Sequence, residues 1–314
     1  MSEPMKRVQC SVDLKEVARV KGLGFLRDTL TPDCFNGRVI TENGKITAEE
    51  MKAIAEGAEK YGNGEITMTA RLTVEIQKVP YENIEPLREY LAGYGLETGG
   101  TGAKVRPVVS CKGTTCQYGL IDTFELSHKV HQRFYEGYKN VKLPHKFKIA
   151  VGGCPNNCVK PDLNDIGIVG QKVPAVDIKK CRGCKICGVE KSCPINHASL
   201  VEGKVRIVEG ECNSCGRCDG KCPFGAVGNY VNGYKVYIGG RWGKKGAMGS
   251  TLSAILIEEK DVLDVIEKAI LVFKDLGNAG ERFADTINRI GFEEIEKLLL
   301  SDEILDRKEE ILSK

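Results

Sequence analysis

The sequence predicts an α+β protein, and three observations carry that prediction. Between residues 37 and 95, strand-like and helix-like patterns alternate. Later segments read as short strands that run into glycine-bearing loops. The C-terminal third is strongly helical. The chain has 314 residues, 41% of them apolar, enough for a real core and for two or three compact units. The formal net charge of +3 gives no footprint for nucleic acid.

Gly37–Ile40 reads as a short strand leading to a turn at 42–44. Thr47 and Glu50 form a capping box, in which hydroxyl and carboxylate each satisfy an orphan N–H at a helix start. That helix presents Met51, Ile54, Ala55 and Ala58 on one face and stops at Gly62. From Glu65 to Ile76 apolar and polar residues alternate, which predicts one half-buried strand. Its polar face bears threonines around Arg71, the ordinary solvated face of a strand or a row suited to an anion or cofactor carboxylates. A second helix spans about Asn83 to Tyr94. The whole unit has ferredoxin-like architecture.

Arg106–Cys111 reads as a strand running into a first cysteine pair, Cys111 and Cys116. A helix is expected from about Tyr118, its free N–H groups just after Cys116, with Leu120, Phe124, Val130 and Phe134 inward. Lys146–Val151 is the next strand, with Lys146 and Lys148 on one face. Like charges there usually reach for water. This strand, however, leads straight into Gly152, Gly153 and the second pair, Cys154 and Cys158. Four thiols in two close pairs, each in a glycine-bearing loop, can serve one metal centre. Ile166–Val169 is a further strand.

Fourteen cysteines are many, and all but Cys10 and Cys34 fall between 111 and 222. No apolar leader or membrane-length run is visible, so a cytoplasmic chain with metal-binding rather than disulfide-forming cysteines is expected. Residues 174–230 hold Cys181, Cys184, Cys187 and Cys193–Pro194, then Cys212, Cys215, Cys218 and Cys222–Pro223. This is the two-cluster ferredoxin run, in which the fourth cysteine of each series serves the other cluster. It assigns Cys181, Cys184, Cys187 and Cys222 to one [4Fe–4S] cluster and Cys193, Cys212, Cys215 and Cys218 to the second. Paired zinc sites would not need the third cysteine and following proline in both series. The block carries nine Lys and Arg against six Asp and Glu. That basic rim suits an acidic electron donor or simply aids solubility.

Tyr234–Gly240 reads as a strand, followed by a basic glycine-rich loop, 241–246, able to hold acidic cofactor groups. An amphipathic helix spans Asp261–Leu276, and two closing helices, 290–300 and 302–312, flank Ser301 as a cap. Gly99–Gly102 lacks the context of a dinucleotide fingerprint.

Over roughly residues 20–300 these motifs resemble the sirohaem-containing sulfite and nitrite reductases. The resemblance is strongest to the anaerobic sulfite reductases, whose catalytic fold carries an inserted ferredoxin segment. In the family a Cys-x5-Cys pair and a Cys-x3-Cys pair bind a [4Fe–4S] cluster, and the last cysteine also ligates the sirohaem iron. Cys154 and Cys158 match; Cys111 and Cys116 are one residue closer than the pattern. Arg71-Leu-Thr73, Arg106, the 143–148 segment with Lys146 and Lys148, and Gly280–Gly291 are similar to other family stretches.

The resemblance implies a sulfite/nitrite reductase-like fold in four parts. These are an N-terminal ferredoxin-like half-domain (1–95), a first catalytic part (96–173), an inserted two-cluster ferredoxin domain (174–230) and a second catalytic part (231–314). It implies sirohaem and three [4Fe–4S] clusters, with Arg71, Arg106, Lys146 and Lys148 at the substrate. Cys158, Asn156 and Arg241 are the candidates for contacts to the macrocycle. The expected reaction is six-electron reduction of sulfite to sulfide. Nitrite reduction to ammonia and a non-catalytic electron-transfer subunit are the alternatives. Expected partners are an iron–sulfur subunit and a flavin- and NADH-handling subunit. Full-length relatives contain two homologous halves, so a second protomer or a partner is expected to complete the pocket.

Overall fold

The computed structural model describes residues 7–208 and 210–314. The N-terminal unit contains α1 (Leu14–Gly22), β1 (Phe25–Arg27), β2 (Cys34–Val39), α2 (Ala48–Tyr61), β3 (Ile66–Met68), β4 (Val74–Pro80) and α3 (Ile84–Ala92). Its sheet has the order β1-β2-β4-β3, antiparallel throughout. The capping box at α2 forms, with Thr47 Oγ1 accepting from the Glu50 N–H at 3.1 Å and Glu50 accepting from the Thr47 N–H at 2.7 Å. The buried face of α2 is Ala53, Ile54, Gly57 and Ala58, rotated from the expected Met51 and Ala55. Gly57 explains the rotation: a Cβ there would lie 3.2 Å from Leu87 Cδ1, so its bareness lets α3 approach.

The single strand expected over 65–76 is instead a hairpin. β3 and β4 pair with Ile66 opposite Ile76, and residues 69–73 form the turn. Thr69 Oγ1 accepts the N–H groups of Arg71 and Thr73, and Leu72 takes φ +59° to close the turn. Arg71 therefore stands at a hairpin tip rather than mid-strand.

The second unit contains β5 (Val109–Ser110), α4 (Thr123–Val130), β6 (Ile149–Gly152) and β7 (Ile166–Val176). Then follow α5 (Gly188–Ser192), β8 (Ala198–Val201), β9 (Lys204–Ile207), β10 (Val227–Ile238) and β11 (Ser250–Thr251). The closing helices are α6 (Glu259–Leu276), α7 (Phe283–Ile290), α8 (Phe292–Leu300), α9 (Glu303–Asp306) and α10 (Lys308–Ser313). The five-stranded sheet has the order β11-β10-β7-β6-β5, with β5, β6 and β7 parallel. α6 buries its apolar face, Val262, Val265, Ile266, Ala269, Ile270 and Phe273, in the main core. Ser301 ends α8 but caps nothing beyond it; its hydroxyl turns back to the Leu298 carbonyl.

Two expectations change near the cysteines. α4 begins at Thr123, seven residues after Cys116, and its first N–H groups are already engaged by the Thr114 hydroxyl at 2.9 Å and the Asp122 carboxylate at 2.9 Å. The start of α4 therefore offers Cys116 no free N–H from Phe124 or Glu125. Lys146 and Lys148 lie just before β6, where the chain enters the sheet, rather than within the strand. β7 and β10 pair from Ile166 opposite Ile238 to Val176 opposite Val227. Together they form a two-stranded arm, and residues 177–226 sit at its far end with their own small core.

Candidate functional site

Parallel pairing of β5 and β6, with Val109 opposite Ala150, aligns Arg106, Lys146 and Lys148 at the entering ends of the strands. The β3–β4 hairpin delivers Arg71 to the same place. There its guanidinium donates to Asn164 Oδ1 at 2.8 Å and to the Pro107 carbonyl. β2 adds a fifth cation, Arg38. A pocket of about 120 Å³ is lined by Arg38, Arg71, Gly100, Arg106, Pro107, Lys146 and Lys148. The glycine-rich segment 99–102 is part of this pocket, and the Gly100 carbonyl accepts from both Arg38 (3.3 Å) and Arg106.

Arg38 escaped the sequence reading. In β2 it faces away from buried Phe35 and Val39 and lies opposite Glu75, to which it is ion-paired at 2.5 Å. In sequence that is an ordinary cross-strand pair.

Crowding shapes the electrostatics. Burial first, then Arg71 and Arg282, push the Lys148 ammonium down to about 8. Burial lowers Lys146 too, reinforced by Arg282 and Arg106. Arg71 and Arg106 are each lowered to about 10, chiefly by burial. The Nε atoms of Arg71 and Arg106 are enclosed without a hydrogen-bond partner. Beneath the lysines, fully buried Asp165 pairs with Arg282 through contacts of 3.0 and 2.9 Å and accepts the Lys148 N–H at 2.9 Å. Burial raises the Asp165 acid while Arg282 opposes that shift. Cations pressed together with orphaned donors form a site for a polyanion, either an oxyanion or the carboxylates of a macrocycle.

The cysteine pairs occupy the opposite ends of the same strands. Cys111 follows β5 and Cys154 follows β6. The Gly153 N–H donates to Cys111 Sγ at 3.1 Å. A Cβ on Gly153 would lie 2.8 Å from Gly113 Cα and 3.4 Å from Cys111 Sγ, so both loops need glycine to close. Burial raises the Cys154 thiol, an N–H from Asn156 opposes this, and Cys111, Cys158 and Cys116 add to the rise. The four sulfurs thus sense one another. Thiolates held together in this way need a metal's positive charge, so the donor set fits an iron–sulfur cluster. Cys158 is the exposed member, with an open side for a shared ligand.

The structure does not bring the cations and these thiols into one pocket. Lys148 and Gly152 are separated by four residues of extended chain, roughly 13 Å. Arg241 is also elsewhere, held by Asp285 through contacts of 2.9 and 2.8 Å.

In the inserted block one cavity is lined by Cys181, Cys184, Cys187 and Cys222, and another by Cys193, Cys212, Cys215 and Cys218. Each cavity thus has four cysteines on its wall, the number of thiolates that a [4Fe–4S] cluster takes.

A cavity of about 830 Å³ lies elsewhere and is lined by Glu42, Glu50, Glu97, Asp122, Glu125 and Glu136 with His128, His131 and Lys45. Its carboxylates would repel a polycarboxylate macrocycle, so it is not the macrocycle site.

Residues 101–307 match the nitrite and sulphite reductase 4Fe-4S domain, and residues 31–94 the nitrite/sulfite reductase ferredoxin-like half domain. The chain belongs to the nitrite and sulphite reductase family. An uncharacterized protein of Methanocaldococcus jannaschii is 30% identical over 291 residues, which are 93% of this chain and 96% of that protein. The coenzyme F420-dependent sulfite reductase of the same organism is 34% identical over 259 residues, 80% of this chain but only 40% of that longer protein. Among solved structures, dissimilatory sulfite reductase I superposes with a TM-score of 0.67 at 21% identity, over 84% of this chain and 68% of that one, a likeness of fold. The four-stranded N-terminal sheet is accordingly the family's half domain, and the five-stranded sheet with its helices is the core of the 4Fe-4S domain. Among the described residues no helix is long and apolar enough to cross a membrane.

Proposed function

We propose that the chain is the catalytic subunit of a sulfite reductase. It reduces sulfite to sulfide with six electrons at a sirohaem joined to a [4Fe–4S] cluster, fed by two further clusters of the inserted block. The observation that carries this reading is the convergence of Arg38, Arg71, Arg106, Lys146 and Lys148 on one pocket, with the Lys148 ammonium lowered to about 8. Names of relatives support the substrate: coenzyme F420-dependent and dissimilatory-type sulfite reductases both match this chain.

Cys111, Cys116, Cys154 and Cys158 would hold the cubane, with Cys158 as the thiolate shared with the macrocycle. Bound there, the macrocycle would supply an iron able to bind sulfur and to pass electrons. The chain's own residues do the rest. Sulfite carries its charge on oxygen, and three oxygens must leave as water, each needing two protons. Arg106 and Arg38 offer planar donors for those oxygens. Arg71, pinned by Asn164 and Pro107, contributes fixed positive potential from below. Lys148, at about 8, is mostly protonated at neutral pH yet gives its proton up easily, which suits a recycling general acid. Lys146, lowered for the same reasons, is the second donor.

Cations and thiols stand at opposite ends of one sheet. The working site is therefore composed between two chains, with the cation pocket of one copy closing over the thiolate centre of another. The reading also places electron-donor subunits upstream, an iron–sulfur subunit and one handling flavin and nicotinamide. It places the chain in the cytoplasm, where its thiols stay reduced.

Two measurements test this. Steady-state rates with sulfite and nitrite should favour sulfite; faster turnover of nitrite would reassign the substrate. Mixing two inactive variants, Lys148→Met and Cys158→Ser, tests the composite site. Random pairing makes about half of the dimers mixed, each with one whole site, so about a quarter of wild-type activity should return. No recovery after verified subunit exchange would place both halves of the site in one chain.

A further inference from the structure

Strand β7 sets the order of the three thiol sets. Gly170 packs against the loop of the catalytic pair: a Cβ there would lie 2.7 Å from the Gly153 carbonyl. Two residues on, about 7 Å along the strand, the Lys172 N–H donates to the Ser214 carbonyl at 2.8 Å, within the Cys212–Cys218 series. Five residues further, about 17 Å, the Asp177 N–H donates to the Ala226 carbonyl at 2.8 Å, beside Cys222. A second contact repeats the first junction. The Arg217 guanidinium lies 5.3 Å from the ring of Tyr118, which joins the residue before Cys218 to the loop after Cys116. The set of Cys193, Cys212, Cys215 and Cys218 is therefore the inner one. The set of Cys181, Cys184, Cys187 and Cys222 is the outer one, farthest from the catalytic thiols.

The surface over the outer set differs from a solvated loop. Ile186 is 73% exposed and Phe224 48% exposed, and both line the cavity of this set. Arg182 and Lys221 line the same cavity, and Lys185 stands between Cys184 and Ile186; all three are exposed. Asp219 and Asp177 of the same block are already ion-paired, to Lys172 and Lys180. The result is a small apolar centre with Arg182, Lys185 and Lys221 on its rim, directly over four cysteines, while Glu190 of the same block accepts the Leu200 N–H at 3.1 Å. An apolar centre with a charged rim is the anatomy of a transient protein interface, and the rim charge selects the partner's sign.

We propose that this patch is the electron-entry surface, and that its partner is a small iron–sulfur electron carrier, or donor subunit, with an acidic face. This rests on the proposed function, because it requires clusters in the inserted block. Each docking event moves one electron from the reduced partner to the outer set; the partner is oxidised by one electron, the chain is reduced by one, and no bond or proton changes. The inner set then stands between entry and catalysis, so a carrier docked at Ile186 never needs to approach the substrate pocket.

The test uses the full chain, purified anaerobically, with a dithionite-reduced ferredoxin of net negative charge as the probe. Stopped-flow absorbance follows oxidation of the probe, and calorimetry gives its Kd. The triple reversal Arg182→Glu, Lys185→Glu, Lys221→Glu should weaken binding and slow transfer by about tenfold or more. Raising salt from 50 to 300 mM should do the same to the wild type on the order of tenfold. The control reversal Lys15→Glu, Lys52→Glu, on exposed positions of α1 and α2, should change neither. Iron counts and reduction by a small uncharged mediator confirm that each variant folds and carries its clusters. Equal slowing by the control, or unchanged binding in the triple variant, overturns the entry surface while leaving the proposed function standing. Failure of the wild type to carry clusters in the inserted block overturns both.

Discussion

Lys148 offers the deepest test, because one substitution should move activity and stability in opposite directions. Lys148→Met keeps the length of the side chain and its packing while removing the charge. The ammonium is lowered from 10.5 to about 8 by burial and by neighbouring cations. At about 1.36 kcal/mol per unit, that shift corresponds to about 3.4 kcal/mol if the group were fully shielded. The side chain is only half-buried, so solvent screening reduces this to about 1–2 kcal/mol. The folded pKa lies below the unfolded one, so protonated Lys148 opposes folding. The penalty is complete below about pH 8, fades between about 8 and 10.5, and vanishes above that.

Lys148→Met should therefore be more stable than wild type at pH 7, by about 1–2 kcal/mol in urea denaturation, and the two curves should converge near pH 10.5. Sulfite turnover should meanwhile fall by about 10²-fold or more. In the wild type, kcat/KM should decline above about pH 8 as the proton is lost from the free enzyme, and this limb should disappear in the variant. Unchanged turnover would remove Lys148 from the chemistry. A variant less stable than wild type at pH 7 would refute the electrostatic reasoning.

Three further outcomes follow from neighbouring contacts. Asp165→Asn leaves Arg282 buried beside a neutral partner and should cost about 3–5 kcal/mol, whereas the double change Asp165→Leu, Arg282→Met should recover most of it; urea denaturation distinguishes the two. Gly153→Ala forces a methyl against Gly113 and Cys111 Sγ, so chemical analysis should find about four fewer irons per chain, with the ferredoxin-type signals intact in electron paramagnetic resonance. Arg38→Ala should raise the KM for sulfite by about tenfold while kcat changes less, because it removes a donor for substrate oxygens.

What was legible in the sequence was local. The capping box at Thr47 and Glu50 needs only two residues at fixed spacing, and both contacts are present. The amphipathic stripe of α6 was legible because 18 residues repeat it. The hairpin at 66–80 was not, because its turn residues are themselves polar and apolar in alternation. A period of two does not reveal that the chain reverses at Leu72. Arg38 was hidden by its cross-strand partner Glu75, and its proximity to Arg106 and Lys148 is a purely tertiary fact. α1, with its Asp13 cap, and the three-residue edge strand β1 are too short to show a period in the sequence.

The largest difference concerns distance. Lys148 stands six residues before Cys154 and so reads as its neighbour. In extended chain every residue adds about 3.3 Å, so that nearness in sequence becomes separation along a strand. Parallel pairing then gathers like with like, the cations at one end of the sheet and the sulfurs at the other. A helix would have carried the same six residues over only about 9 Å.

What the purified chain carries decides between a reductase and an electron carrier. An anaerobic preparation should be measured by absorption spectroscopy, with iron and acid-labile sulfide counted on the same sample. Tetrapyrrole bands together with about twelve irons per chain are expected, with coupling between macrocycle and cluster lost in Cys158→Ser. About eight irons with no tetrapyrrole would contradict the proposed function, leaving a pure electron carrier built on the family's scaffold.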